Sequence, residues 1–151
     1  MQIEIRPVDA DSEAAKRLIA DLDEYLLGLY PPESNHLDSV AELSRAHVRF
    51  FGAFCDRQLL GCGAVKLMRS GYAEIKRIYV DDAARGLGLA RELLRALENC
   101  ARTEGYDIVR LETGVRQPEA LKLFECNGYT RTGPFGSYPD DPLSIFMRKQ
   151  I

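Results

Sequence analysis

The fold is decided by one stretch of the sequence, Glu74-Ile-Lys-Arg-Ile-Tyr-Val-Asp-Asp-Ala-Ala-Arg-Gly-Leu-Gly-Leu-Ala-Arg-Glu-Leu-Leu94. Its first part, Ile75 to Val80, is rich in β-branched and aromatic residues, which favours a β-strand. From Leu87 to Ala101 the apolar residues recur at helical spacing. The stretch therefore predicts a strand, a short glycine loop and the first turns of a long helix.

The loop between this strand and helix reads Arg85-Gly-Leu-Gly-Leu-Ala90. A helix N-terminus presents free N–H groups and a partial positive charge of about half a unit. Because glycine has no Cβ, an anion can approach these groups closely, and Arg85 adds a full charge. The loop therefore predicts a cradle for a phosphate or pyrophosphate. The two glycines alone would fit equally well with a tight turn that binds no ligand and has an incidental arginine.

Two common nucleotide-binding motifs do not fit this loop. A dinucleotide fingerprint needs Gly-x-Gly-x-x-Gly, and Arg91 stands where its third small residue would be. No Gly-Lys-Ser/Thr follows, which excludes a P-loop. The pattern Arg-x-x-Gly-x-Ala instead resembles the acyl-CoA pyrophosphate loop, Gln/Arg-x-x-Gly-x-Gly/Ala, of the GNAT superfamily of N-acetyltransferases.

Two further segments resemble the same family. They are Tyr72-Ala-Glu-Ile75 and Gln117-Pro-Glu-Ala-Leu-Lys-Leu-Phe-Glu-Cys-Asn-Gly-Tyr129, and with the loop they cover most of residues 48–132 in the family's order. The resemblance implies an acetyl-CoA-dependent N-acetyltransferase, in which a primary amine of a small molecule or peptide attacks acetyl-CoA directly in a ternary complex. A non-catalytic acyl-CoA binding or sensing domain and a different nucleotide-binding module remain as alternatives.

The patterns along the chain predict a single domain, residues 1–151, with the order β-α-α-β-β-β-α-β-α-β-β. This order is typical of an α/β domain with a mixed sheet, and the resemblance implies the same GNAT-like fold. Three strands with short turns between residues 48 and 80 predict an antiparallel meander. The strand from Ile108 follows the long helix and should run parallel to its predecessor. Gly61 and Gly63 predict a bulge or a close backbone approach, and residues 37–45 a second, weaker helix.

Composition and charge exclude several classes of protein. No apolar run approaches the ~20 residues of a membrane span, and the N-terminus lacks a signal-peptide pattern, so a cytoplasmic location is predicted. The net charge of −3 gives no indication of nucleic-acid binding. The four cysteines and two histidines lack metal-ligand spacing, so no metal is predicted. Residues 1–45 carry −6 and residues 46–151 carry +3, so a polyphosphate cofactor would favour the second part.

The predicted cofactor site has three parts. Backbone N–H groups of the glycine loop are predicted to hold the pyrophosphate. The resemblance implies that a splayed strand offers main-chain groups to the pantetheine arm, and that Gln117 stands where the family often has asparagine. The residues predicted to bind acetyl-CoA are Ile78, Tyr79, Val80, Arg85, Gly86, Leu87, Gly88, Leu89, Ala90, Gln117 and Phe124.

Catalysis needs a base for the ammonium and an acid for the leaving thiolate. Glu74 lies in an otherwise apolar strand, where a carboxylate is costly, and the resemblance implies that it is the base, acting directly or through a water. The alternative is a plain ion pair with Lys76. For the acid, the family's tyrosine position holds Phe124, which has no proton to give. Either the thiolate leaves unaided, or another tyrosine serves, with Tyr138 and Tyr30 as candidates.

The acceptor site is predicted in two variable loops, Tyr30 to His36 and Gly136 to Asp141, which are turn-rich, polar and aromatic. Two ordered surface loops are the alternative. The residues predicted to bind the substrate are Tyr30, Glu33, His36 and Tyr138. The sequence does not name the acceptor, and it leaves the oligomeric state open, although dimers are common in the families it resembles.

Overall fold

A computed structural model describes all residues from Met1 to Ile151 and contains one seven-stranded mixed sheet. The strands are β1 (Ile3–Pro7), β2 (Val48–Cys55), β3 (Gln58–Leu67), β4 (Ala73–Val80), β5 (Ile108–Gly114), β6 (Thr130–Thr132) and β7 (Ser144–Gln150). The helices are α1 (Glu13–Leu27), α2 (Val40–Leu43), α3 (Leu89–Thr103) and α4 (Pro118–Cys126). The predicted order of elements and the mixed sheet are confirmed.

The sheet has the order β1-β2-β3-β4-β5-β7-β6, and its pairs are antiparallel except for β4 and β5. The predicted meander is therefore β2-β3-β4, and the predicted parallel pair is β4-β5 joined through α3. None of the helices combines the length and the apolar composition that a bilayer crossing requires.

The second helix is shorter than predicted. The sequence predicts a helix over residues 37–45, whereas α2 spans only Val40–Leu43. The Ser39 hydroxyl accepts a hydrogen bond from the Glu42 N–H at the start of this turn. At its end the Ser44 hydroxyl donates to the Val40 carbonyl, and such side-chain bonds compete with continuation of the helix.

The two faces of the sheet are covered differently. On one face α3 and α4 bury an apolar cluster that includes Ile75, Leu94, Leu111 and Met147. Because side chains alternate along a strand, Glu74 and Lys76 of β4 lie on the opposite face. That face is covered by α1 and α2 over β2 and β3, and by loops over β4 and β5. Glu74 and Lys76 therefore lie beneath loops.

A bulge interrupts the pairing of β3 with β4. Cys62 pairs with Tyr79 and Ala64 with Lys76, so β4 has one extra residue at this point. The bulge predicted from Gly61 and Gly63 is therefore present, with its extra residue on the partner strand. Arg77 lies within it at φ 62°, and its buried guanidinium pairs with Asp23 of α1. The bulge is thus tied to the helix that covers it.

Beyond this point β4 and β5 separate. Their pairing ends at Ile75 and Leu111, although β4 continues to Val80 and β5 to Gly114. The sheet therefore opens between the carboxyl ends of these parallel strands.

The end of β5 is held by a tyrosine from the chain after α1. Tyr30 is 7% exposed, its hydroxyl donates to Oε1 of Gln117 at 3.1 Å, and it accepts from the Arg116 N–H at 3.0 Å. Gly114 lies directly against this hydroxyl, so that a Cβ at residue 114 would overlap it.

Gly114→Ala is therefore expected to displace Tyr30 and lower the free energy of unfolding by about 1–3 kcal/mol, as overpacking generally does. Urea unfolding measures this. The matched control is Gly133→Ala, because a Cβ there meets no atom within 4 Å and should change stability by less than about 0.5 kcal/mol. Equal stability of the two variants would show that Tyr30 does not fix this strand end.

Candidate active site

A cleft of about 560 Å³ lies where β4 and β5 separate, bounded by the starts of α3 and α4. Nine of the residues predicted to bind the cofactor line it, and they are Ile78, Tyr79, Val80, Arg85, Gly86, Gly88, Leu89, Ala90 and Gln117. Of the other two, Leu87 is exposed outside the lining and Phe124 lines a deeper cavity.

The glycine loop leaves the start of α3 accessible. Gly86 and Gly88 both have φ +82°, and a Cβ on either would meet no atom within 4 Å. Gly88 is the N-cap of α3, and no side chain caps this helix end. The N–H groups of the first turn are therefore available to an anion. A side chain at residue 86 or 88 would begin to fill the space that the anion needs. Arg85 adds a cation at the rim, where its Nη1 lies 3.5 Å from Oε2 of Glu119 on α4.

A smaller cavity of about 110 Å³, here called the inner cavity, extends from the cleft into the opening of the sheet. It shares Ile78, Gln117 and Ala120 with the cleft. Its lining also includes Glu112, Lys76 and Phe124, none of which lines the cleft. The cavity next to the cleft is therefore lined by charged residues of β4 and β5.

On the loop-covered face lies a polar cavity of about 370 Å³, here called the outer pocket. Its lining includes Asp38, Lys66, Tyr72, Glu74 and Tyr138. It shares His36, Leu37 and Lys76 with the inner cavity. The inner cavity therefore adjoins both the cleft at the glycine loop and the outer pocket.

Glu74 is the central carboxylate of the outer pocket. It is 4% exposed and accepts a short hydrogen bond from the Tyr138 hydroxyl. Lys76 lies beside both, with its Nζ 3.9 Å from Oε2 of Glu74 and 2.8 Å from the Tyr138 oxygen. Burial raises the pKa of Glu74 and outweighs the opposing effect of Lys76. Burial, followed by the Glu74 charge, also raises the pKa of Tyr138 far above its ordinary value.

Two loops close over this pocket. The Ser34 hydroxyl donates to Oδ2 of Asp141 at 2.6 Å, which joins the loop after α1 to the loop before β7. The His36 and Tyr138 rings meet edge to face with centroids 5.3 Å apart. Lys76 Nζ donates to the His36 carbonyl at 2.9 Å, which fixes the first loop to β4.

A second carboxylate, Glu112 of β5, lines the inner cavity. The Ser144 hydroxyl of β7 donates to its Oε2 at 2.8 Å. Burial raises the pKa of Glu112 to about 7, with Ser144 and Lys76 acting in the opposite direction. Glu112 therefore changes charge near neutral pH, on the lining of the inner cavity.

The sequence profile of the acetyltransferase (GNAT) family matches residues 15–129. The chain belongs to this family. An IAA acetyltransferase of Azospirillum brasilense is 42% identical over 140 residues, which are 92% of each chain. A solved protein of Klebsiella pneumoniae, assigned as an acyl-CoA N-acyltransferase, superposes with a TM-score of 0.84 at 33% identity, over 99% of this chain and 97% of its own. The PaiA N-acetyltransferase of Thermoplasma acidophilum, crystallised with coenzyme A, shares the fold at a TM-score of 0.75 and 19% identity over 100% of both chains.

Membership of the GNAT family confirms the predicted family, fold and acetyl-CoA-dependent N-acetyltransferase activity. It sets aside the alternative of a different nucleotide-binding module. The acetyltransferase brings Glu74, His36 and Tyr138 together at the outer pocket, which residues of both predicted loops line. That this pocket binds the acceptor stays a prediction. Tyr30 lies elsewhere, against Gln117 and Gly114, and Glu33 is exposed and lines none of these three cavities.

Sequence reasoning did not single out Glu112. The signal was available, because Glu112 is a carboxylate in the apolar strand Ile108–Gly114, the same feature that drew attention to Glu74 in β4. What the sequence lacked was the separation of β4 from β5, which opens a cavity beside Glu112.

The raised pKa of Glu112 makes the acetyltransferase less stable at higher pH. The folded chain holds the proton up to about pH 7, whereas the unfolded chain releases it near 4.5, so stability falls as pH rises between these values. The loss is about 3 kcal/mol, at 1.36 kcal/mol for each unit of pKa.

Glu112→Gln is therefore expected to be more stable than the parent at pH 8, and urea unfolding at pH 5 and pH 8 measures this. The control is the exposed Glu125→Gln. A parent-like loss of stability in Glu112→Gln would contradict the prediction.

Proposed function

We propose that this GNAT acetyltransferase transfers the acetyl group of acetyl-CoA to a primary amine of a small molecule or peptide, by direct attack in a ternary complex. The observation that supports this most is that the inner cavity shares lining residues both with the cleft at the glycine loop and with the outer pocket. A donor in the cleft and an acceptor in the outer pocket would meet in the opening between β4 and β5. Neither substrate would have to leave before the other arrives.

The residues of the cleft fit acetyl-CoA. The uncapped start of α3 and the loop residues Gly86 and Gly88 would hold the pyrophosphate, with Arg85 at the rim. The backbone of Ile78 to Val80 and the Gln117 amide would line the pantetheine arm, because all of them border the same cleft. Acetyl-CoA supplies the acetyl group as a thioester, which an uncharged amine can attack.

Glu74 is proposed to take the proton of the acceptor ammonium, directly or through a water. Its burial supports this role, because a raised pKa makes a carboxylate a better base near neutral pH. Tyr138 is proposed to assist by holding Glu74 and Lys76 in position, since its hydroxyl bonds to both. His36 would form the wall of the outer pocket towards the inner cavity.

The outer pocket suits a polar acceptor. Asp38 and Glu74 lie beside Lys66 and Lys76, so that the lining carries both signs of charge. The relative from Azospirillum brasilense is named for IAA, and IAA therefore belongs in the first set of candidate acceptors. The cytoplasmic location and the possible homodimer stay predictions.

The test is acetyl-CoA turnover on a panel of amines that includes amino acids, polyamines, an aminoglycoside and a peptide, with IAA added and thiol release as the readout. We expect acetyl-CoA to bind and at least one amine to be acetylated. Tight binding of acetyl-CoA without acetylation of any amine would instead favour the non-catalytic sensing domain.

A further inference from the structure

The leaving thiolate needs a proton that no tyrosine of the inner cavity supplies. Phe124 occupies the α4 position facing this cavity and is 6% exposed. The tyrosines nearby are committed elsewhere. Tyr138 donates to Glu74, Tyr30 donates to Gln117, and Tyr129 donates to Oε2 of Glu98 at 2.7 Å. Tyr25 and Tyr79 line the cleft but not the inner cavity. Within the inner cavity, a group other than a tyrosine must therefore act at the sulfur, or the thiolate leaves unaided.

Glu112 is the carboxyl group on the lining of the inner cavity. The Ser144 hydroxyl donates a hydrogen bond to one of its oxygens, and Gln117 lines both this cavity and the cleft. The charged groups that face it are Lys76 and Glu74 of β4 and Asp141 of the loop before β7. Because its pKa is raised to about 7, both its ionised and its protonated forms are populated under ordinary conditions.

We propose that Glu112 is a catalytic proton shuttle that carries the second proton of the amine to the departing sulfur. This role rests on the proposed acetyl transfer. Glu74 takes the first proton of the ammonium and passes it to solvent. The nitrogen then bonds to the acetyl carbon and becomes positively charged. Glu112 as the carboxylate removes the surplus proton from that nitrogen.

The same residue completes the reaction. As the carbon–sulfur bond breaks, its electron pair goes to sulfur, and Glu112 gives up its proton to form the free thiol. Glu112 is a carboxylate again, so the cycle closes without a further reactant. The ammonium and acetyl-CoA have become the amide, coenzyme A and one proton released to solvent.

His36 is the rival group. It also lines the inner cavity, and its Nε2 is buried without a hydrogen-bond partner. Lys76 is less suitable, because its ammonium already donates to the His36 carbonyl and to the Tyr138 hydroxyl. The experiment therefore compares Glu112→Gln with His36→Gln.

The first readout needs no acceptor. Carbon-13 NMR follows the Glu112 carboxyl through a pH titration, with coenzyme A or with desulfo-coenzyme A, which lacks the sulfur. We expect the titration midpoint of Glu112 to shift with coenzyme A and not with the desulfo compound. Equal responses to both compounds would show that the sulfur does not meet Glu112, and would overturn the proposal even if amines are acetylated.

The second readout is kcat against pH with the best amine of the panel. The parent should gain activity as pH rises through about 7, because the resting carboxylate must be ionised to accept a proton. Glu112→Gln should lose this limb and about 10²-fold or more in kcat, with an unchanged KM for acetyl-CoA, and Glu112→Asp should recover part of the rate. Retention of the limb in Glu112→Gln and its loss in His36→Gln would assign the shuttle to His36. If no amine is acetylated the proposed function fails, whereas the titration still decides the contact with sulfur.

Discussion

Gly88→Asp is expected to lower the affinity for coenzyme A by roughly 100-fold or more. Gly88 caps the start of α3 on the lining of the cleft, and open space surrounds the position of a Cβ. An aspartate there would bring a negative charge to the N–H groups proposed to hold the pyrophosphate. Two charges about 4 Å apart near a protein surface interact by about 4 kcal/mol, which is enough for a loss of this size. Isothermal titration calorimetry with coenzyme A measures it.

The matched control is Gly105→Asp. Gly105 follows the other end of α3, also has a left-handed backbone at φ +90°, and would likewise place a Cβ where no atom lies within 4 Å. Both variants therefore carry the same kind of backbone strain, about 1–2 kcal/mol. We expect Gly105→Asp to bind coenzyme A like the parent. Equal weakening in the two variants would mean that strain, and not charge at the glycine loop, causes the loss.

Glu74→Gln is expected to reduce kcat by about 10²–10³-fold, the usual contribution of a general base. The amide retains the size of the carboxylate and can still accept from Tyr138, but it cannot take a proton. Because burial raises the pKa of Glu74, the parent should lose activity on the acid side as this carboxylate becomes protonated. The variant should lack the limb that Glu74 causes and retain the rise in activity through about pH 7 that is assigned to Glu112. Steady-state thiol release between pH 5 and pH 9 measures both effects.

Tyr138→Phe distinguishes the positioning of Glu74 by the Tyr138 hydroxyl from the proton transfer by Glu74 itself. It leaves the carboxylate of Glu74 in place and removes the hydroxyl that donates to it and accepts from Lys76. We expect a smaller fall in kcat than for Glu74→Gln and an acid limb moved to higher pH, because the hydrogen bond stabilises the ionised carboxylate. Glu13→Gln, on the exposed side of α1, serves as the control. A parent-like rate for Glu74→Gln at every pH would remove Glu74 from the mechanism.

The parts of the fold that depend on neighbouring residues could be predicted from the sequence. The glycine loop before α3 is a local signal, and the structure gives Gly88 the left-handed backbone that suits glycine. Ser12 caps α1 through its side chain, as expected of a serine before an apolar helix. The parallel pairing of β5 with β4 followed from the helix between them, because such a crossover returns the chain in the same direction.

The parts that depend on distant residues could not be predicted. Tyr30 looked like a loop residue of the acceptor site, but its hydroxyl bonds to Gln117, which is 87 positions away. The bulge predicted from Gly61 and Gly63 has its extra residue in β4, where Arg77 has a left-handed backbone, and the two glycines alone do not specify which strand carries it. Glu112 borders a cavity only because the pairing of β5 with β4 ends at Leu111, at a point that the sequence of either strand alone does not specify.

The separation of β4 from β5 has a consequence for the end of the catalytic cycle. Since the cleft and the outer pocket share no lining residue, coenzyme A released from the cleft and an acetylated product released from the outer pocket would have separate exits. Neither has to wait for the other to depart. Each product should therefore compete only with the substrate that binds in the same cavity. Slow release of one product should leave the other cavity free to bind its substrate.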